Sequence, residues 1–160
     1  MTEIFVYKRR LPKLNLKGTV KLNVGCCRKQ EKGFINLDLN DYGQDIVWDV
    51  RTGIPFPDNS VDLIWSQHVM EHFTESESQA VLREMYRVLK VGGIMVHTTP
   101  HASDPTSCYF DHKTFWNEAR VETIPTLSGI EGFRVIKNYV NEQSNRRAFR
   151  ELVFEVQKVQ

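Results

Sequence analysis

Residues 66–73 read Ser-Gln-His-Val-Met-Glu-His-Phe. His68, Glu71 and His72 fall into the spacing H-x-x-E-H, two imidazoles and a carboxylate that some zinc peptidases use to hold a metal and activate water. That chemistry needs the motif inside a long helix and a third protein ligand from a larger domain. Here the motif directly follows a run of strand character, Val61 to Ser66, and a helical pattern begins only at Glu75. Neither requirement is met, so no metal is expected. The same histidines are then free for proton transfer, because an imidazole with a reference pKa of ~6.5 is a suitable base for a hydroxyl or an amine.

Such side chains need elements that aim them. Val20 to Val24, Phe34 to Leu39, Asp45 to Val50 and Val61 to Ser66 are short β-branched or apolar runs bounded by glycine, proline or polar residues, and read as strands. From Glu75 to Lys90, Ala80, Val81, Met85, Val88 and Leu89 recur near a 3.6-residue period, which predicts a helix stopped by Gly92-Gly93. Ile94 to Thr99 is a fifth strand, about 112–127 a second helical stretch, and Phe133 to Val140 with Phe149 to Val159 a hairpin around the polar segment 141–145. Strands alternating with crossovers and closed by a hairpin predict an α/β domain with a mainly parallel sheet and one antiparallel strand at its end. In such sheets ligands bind beyond the carboxyl ends of the strands. No repeat or linker divides the chain, so residues 1–160 are expected to form one domain.

The residues after the strands are therefore the informative ones. Gly25 follows the first strand in "LNVGCC", where a missing Cβ lets backbone N–H groups approach a carboxylate. Asp38 ends the second, where a carboxylate can accept hydrogen bonds from both hydroxyls of a ribose. Asp49 ends the third, and Ser66, Gln67 and His68 follow the fourth. Together with "IPFPDNSVDLIWSQHVMEHF" and "REMYRVLKVGGIMVHTTP", this ordered set resembles the class I S-adenosylmethionine-dependent methyltransferases. The likeness is greatest to the small-molecule branch (type 11) with L-P-F-x-D-x-S-x-D before the fourth strand and R-V-L-K-x-G-G before the fifth.

That resemblance implies a Rossmann-like sheet, S-adenosyl-L-methionine as cofactor and a small-molecule or glycan-precursor acceptor. It implies that Asn23, Gly25 and Cys27 meet the methionyl end, Asp38 with Leu39 the ribose, Asp49 the adenine amino group with Val50 beside the ring, and Ser66 and Gln67 the cofactor through their loop. His68 is the first candidate for catalytic base, and His101, just after the fifth strand, the second. His72 reads either as structural, bonding backbone in a short helix, or as chemical, His97 reads as a packed or paired residue, and His112 has no assigned role. Tyr109, Phe110, Phe115 and Trp116 either wall the acceptor pocket or pack the last crossover.

Several residues depart from the family pattern. Cys27 stands where a second glycine is usual, and Asn23 replaces an acidic residue. Gly25 and Asp38 are thirteen positions apart, which leaves room for only a turn or two of helix, and five residues separate Leu39 from Asp45, too few for a helical crossover. A catalytically inactive module that keeps the fold and binds the cofactor or a partner is the alternative these departures raise. The reduced crossovers also leave one sheet face short of cover, which predicts a homodimer unless residues 4–7 fold back over it.

Composition agrees with a compact domain: 160 residues, 41% hydrophobic and 26% charged. A net charge of +1 gives no general attraction to nucleic acid or anionic membranes, and the basic runs 8–10 and 146–150 read as solvated surface. The chain carries no run of the ~20 apolar residues that a membrane helix needs. With three cysteines in no disulfide or zinc pattern, reduced thiols and a cytoplasmic location are expected.

Overall fold

A computed structural model describes residues 18–143 and 149–160. The expected N-terminal cover at 4–7, the basic runs at 8–10 and 146–147 and the turn of the last hairpin lie outside them. Seven strands form one sheet in the order β3-β2-β1-β4-β5-β7-β6. β1 (Lys21–Val24), β2 (Ile35–Asp38), β3 (Ile46–Val47), β4 (Val61–Gln67) and β5 (Leu89–Pro100) pair in parallel. β7 (Phe149–Lys158) runs antiparallel between β5 and β6 (Phe133–Gln143). The chain leaves β1 for β2 on one side and returns to β4 on the other, so the strand order reverses at β1 and opens a crevice at its carboxyl end.

The long helix is α1 (Glu75–Val88). Thr74 and Glu77 form a reciprocal capping box, Glu77 N donating to Thr74 Oγ1 at 3.3 Å and Thr74 N to Glu77 Oε2 at 2.8 Å. Its buried residues Val81, Leu82, Met85 and Val88 lie on one face and join a core that includes Leu22, Ile64, Met95 and Phe154. Burying each such side chain stabilises the fold by roughly 1.5–3 kcal/mol.

Three expectations are corrected. Gly92-Gly93 does not stop α1; the helix ends at Leu89, already extended with ψ 138°, and both glycines lie inside β5. The buried Lys158 closes this junction by donating to the carbonyls of Tyr86 and Leu89, so a cation serves the helix carboxyl end where a glycine cap was expected. β3 keeps only two residues of the predicted Asp45–Val50, because Asp49 caps a 3-10 turn at Val50–Thr52. The predicted helix at 112–127 is split into α2 (Glu118–Glu122) and α3 (Ile124–Ser128), with Pro125 at the start of α3 unable to continue the hydrogen-bond ladder of α2. No helix lies between β1 and β2, where room for a turn or two was expected, nor, as expected, between β2 and β3.

Candidate functional site

The carboxyl ends of β1, β2 and β4 and the turn after β3 enclose a cavity of about 570 Å³. Its wall includes Gly25, Cys27, Asp38, Leu39, Asp49, Val50 and His68. Gly25 has φ +68°, and a Cβ on it would collide with Val69 Cγ2, so both conformation and space require glycine. Asp38 Oδ2 accepts from Cys27 N and Oδ1 from Asn40 N, both at 2.9 Å. These bonds fix the carboxylate at the cavity wall while leaving lone pairs on both oxygens for a diol.

Asp49 is differently committed. Arg51 forms a two-pronged pair with it, Nε to Oδ1 at 2.9 Å and an NH2 group to Oδ2 at 2.8 Å. The hydrogen bond from the Arg51 guanidinium holds the Asp49 carboxyl below its usual range. Asp49 lines the cavity, but its carboxylate already has a cationic partner.

His68 sits just past β4 with φ +54°, an uncommon conformation for a residue that carries a side chain. Its Nδ1 lies 3.1 Å from Glu71 Oε1 and its Nε2 3.1 Å from Glu151 Oε1. Burial works against a charge on the ring, yet hydrogen bonds to Glu151 and Glu71 outweigh it and raise the pKa to about 9. At neutral pH both ring nitrogens are protonated donors, so His68 has no lone pair with which to act as the expected base, nor one to offer zinc. It is a cation that pairs two nearly buried carboxylates.

The remaining predicted residues divide. Gln67 and Asn23 line a smaller adjoining cleft that shares Gly25, Cys27 and His68 with the main cavity. There Lys29 Nζ donates to Gln67 Oε1 at 3.3 Å, and Asn23 Nδ2 donates to Asn36 Oδ1 at 2.9 Å. Ser66 faces away from the cavity and is bonded to Nδ1 of the buried His97 at 2.8 Å, because strand alternation turns it into the core. His101 lines neither space; it contacts Ser103 Oγ and Glu118 Oε2 at 2.7 and 3.0 Å. Of the four aromatics, Trp116 is in the core, stacked on Phe154, while Tyr109, Phe110 and Phe115 are exposed and outside the cavity wall. Tyr42, Trp48, Arg51, His72, Phe73 and Asp111 line the cavity without having been singled out as cofactor contacts. Trp48 follows a strand end directly, but the others lie four to eleven residues beyond one, and only the fold shows which loops turn inward.

A parallel sheet reversing at β1, with a glycine turn after it and an acidic residue ending β2, defines the class I methyltransferase fold. Among solved structures, the 1,6-didemethyltoxoflavin-N1-methyltransferase of Burkholderia thailandensis, with S-adenosylhomocysteine bound, superposes with a TM-score of 0.69 at 11% identity, covering 88% of this chain and 71% of that one. Residues 22–97, just under half of the chain, match the family described as "Methyltransferase domain". The dimethylglycine N-methyltransferase of Parasynechococcus marenigrum is 32% identical over 97 residues, 60% of this chain and 34% of that protein. A ubiquinone/menaquinone biosynthesis C-methyltransferase of Stenotrophomonas maltophilia is 42% identical over 72 residues, 45% of this chain and 25% of that protein. The chain thus spans about a third of the length of the first of these curated relatives and a quarter of the second.

Proposed function

We propose that this chain binds S-adenosylmethionine in the main cavity and transfers its methyl group to a small molecule. The observation that carries the reading is the Asp38 carboxylate, fixed by two backbone N–H groups opposite the Gly25 turn, where a ribose and a methionyl carboxylate are to be held. When bound, the cofactor would supply a sulfonium-activated methyl group for an acceptor nucleophile, whose proton would be left to solvent or a nearby base. Gly25 gives the chain close approach, Asp38 orients the ribose, and Val50 and Leu39 offer apolar surface beside the ring system. Without a free lone pair on His68, the chain's main contribution is alignment, which can supply most of the acceleration for such a displacement.

Glycan precursors are one acceptor class in this proposal; the names of the relatives, a C-methyltransferase and an N-methyltransferase, support small molecules more broadly. The free thiols Cys26, Cys27 and Cys108 fit work in a reducing cytoplasm. A second reading, cofactor binding without turnover, is favoured by the Arg51 clasp on Asp49 and by the protonated His68.

Calorimetry with S-adenosylhomocysteine tests the binding. The chain is expected to bind one equivalent, and Asp38→Ala to weaken it by about 1.5–3 kcal/mol, the value of hydrogen bonds to a charged group. Equal affinity in wild type and Asp38→Ala removes the ribose assignment. Binding without turnover on a panel of small hydroxyl, amine and carbon acceptors selects the second reading.

A further inference from the structure

We propose that Glu71, His72 and His112 form a site for one divalent transition-metal ion, Zn²⁺ in the first place, at the edge of the main cavity. One ligand-capable atom from each residue lies within 4.8 Å of the other two. The site is not the H-x-x-E-H arrangement of the sequence. His68 is bonded to a carboxylate at each nitrogen, and His112, forty positions past His72, takes the place of the missing ligand.

Both imidazoles are already oriented. His72 Nδ1 lies 3.3 Å from the Asp111 carbonyl oxygen, and His112 Nδ1 lies 3.3 Å from that of Ser107. A carbonyl oxygen only accepts, so each Nδ1 is the donor, with the Asp111 carboxylate also 3.4 Å from that of His72, and Nε2 is the nitrogen left to face a metal. Metal-bound histidines are commonly held this way, their other N–H tied to a carbonyl or carboxylate. The rings meet edge to face with centroids 4.9 Å apart.

Glu71 supplies an independent observation. It is 2% exposed; Oε1 receives the Nδ1–H of His68, while Oε2 is buried with no hydrogen-bond partner. A buried carboxylate oxygen left unpartnered is unfavourable, and a cation on it removes the deficit. Backbone pairing brings His112 to this place: Lys113 N and Thr114 N donate to the Glu71 carbonyl at 2.7 and 3.2 Å, and Thr114 Oγ1 donates to the Met70 carbonyl at 3.2 Å.

Two neutral imidazoles and one carboxylate suit zinc and related ions, whereas Mg²⁺ and Ca²⁺ favour all-oxygen sites. Three protein ligands leave at least one coordination position open. His72 also lines the main cavity, so the ion would border the bound cofactor and be placed to polarise an acceptor oxygen. That use rests on the methyl-transfer reading; the binding of the ion does not.

The test uses the full, untagged chain, stripped with chelator and titrated with ZnCl₂ by calorimetry, with Co²⁺ absorption as a second readout. The expected result is one equivalent per chain, with affinity at least about tenfold weaker in both His72→Ala and His112→Ala, and with the Co²⁺ bands lost in the same variants. His101→Ala, which removes a histidine bonded elsewhere, is expected to bind like wild type. Circular dichroism shows whether each variant keeps its fold, and His112→Gln replaces any that does not. The proposal is overturned if the wild type binds no Zn²⁺, or if binding survives the loss of His72 and His112 or falls equally with His101→Ala. S-adenosylhomocysteine binding by the metal-stripped chain separates a failure of this site from a failure of the cofactor assignment.

Discussion

Cys27 adopts φ +47°, in the left-handed region where a Cβ is strained, and its thiol stands in the wall of both adjoining spaces. Its N–H donates to Asp38, which fixes the conformation. Cys27→Gly keeps that donor, relieves the strain and clears the wall. Offset by the added freedom of the unfolded chain, the gain is expected to be up to about 1 kcal/mol. Denaturant unfolding should show equal or higher stability, and calorimetry equal or tighter S-adenosylhomocysteine binding; a loss of either contradicts the argument. Gly25 was legible as a close-approach position because glycine declares itself, whereas Cys27 hides its φ behind an ordinary side chain. His68 was legible as a site residue but not in its charge state, since Glu151 lies 83 positions away and only the fold brings it near.

At the scale of elements, α1, β1, β2 and β4 follow from period and punctuation, because their apolar patterns repeat long enough to be read. The end of α1 does not, because Gly92-Gly93 mimics a stop that Leu89 and Lys158 make earlier. β5 also carries His97, fully buried against Ser66 and Phe154, and burial lowers its pKa to about 3. The unfolded chain, with a histidine pKa of ~6.5, takes up a proton that the folded chain refuses. The stability from a neutral His97 is therefore complete above about pH 6.5 and is lost as pH falls toward 3, at up to ~1.4 kcal/mol per pH unit. Urea unfolding between pH 4 and 8 should show this slope in wild type and a shallower one in His97→Gln. Equal slopes would show that His97 does not carry this acid sensitivity.

For the whole molecule, the helices join the core on the sheet face that carries Ile64, Met95 and Phe154. On the opposite face Asn23 and Asn36 are satisfied by the segment between β1 and β2, but Leu63, Trp65, Ile94 and Val96 remain only partly buried. The homodimer expected from the sequence, argued there from the first three strands, would here pair this partly buried strip across β4 and β5 about a two-fold axis. Sedimentation at micromolar concentration should show twice the 18.7 kDa chain mass, falling on dilution. A concentration-independent monomer excludes the pair and leaves cover within the chain as the alternative. No helix among the described residues is long and apolar enough to cross a membrane.

The central claim is that the reversal of strand order at β1 places Gly25 and Asp38 around one cofactor. A crystal structure of the chain with S-adenosylhomocysteine tests it most directly. The ribose hydroxyls should lie within about 2.6–3.2 Å of the Asp38 carboxylate, with the adenine beside Val50 and the methionyl end at the Gly25 turn. Ribose bound elsewhere, with Asp38 bonded only to Cys27 and Asn40, would contradict the account.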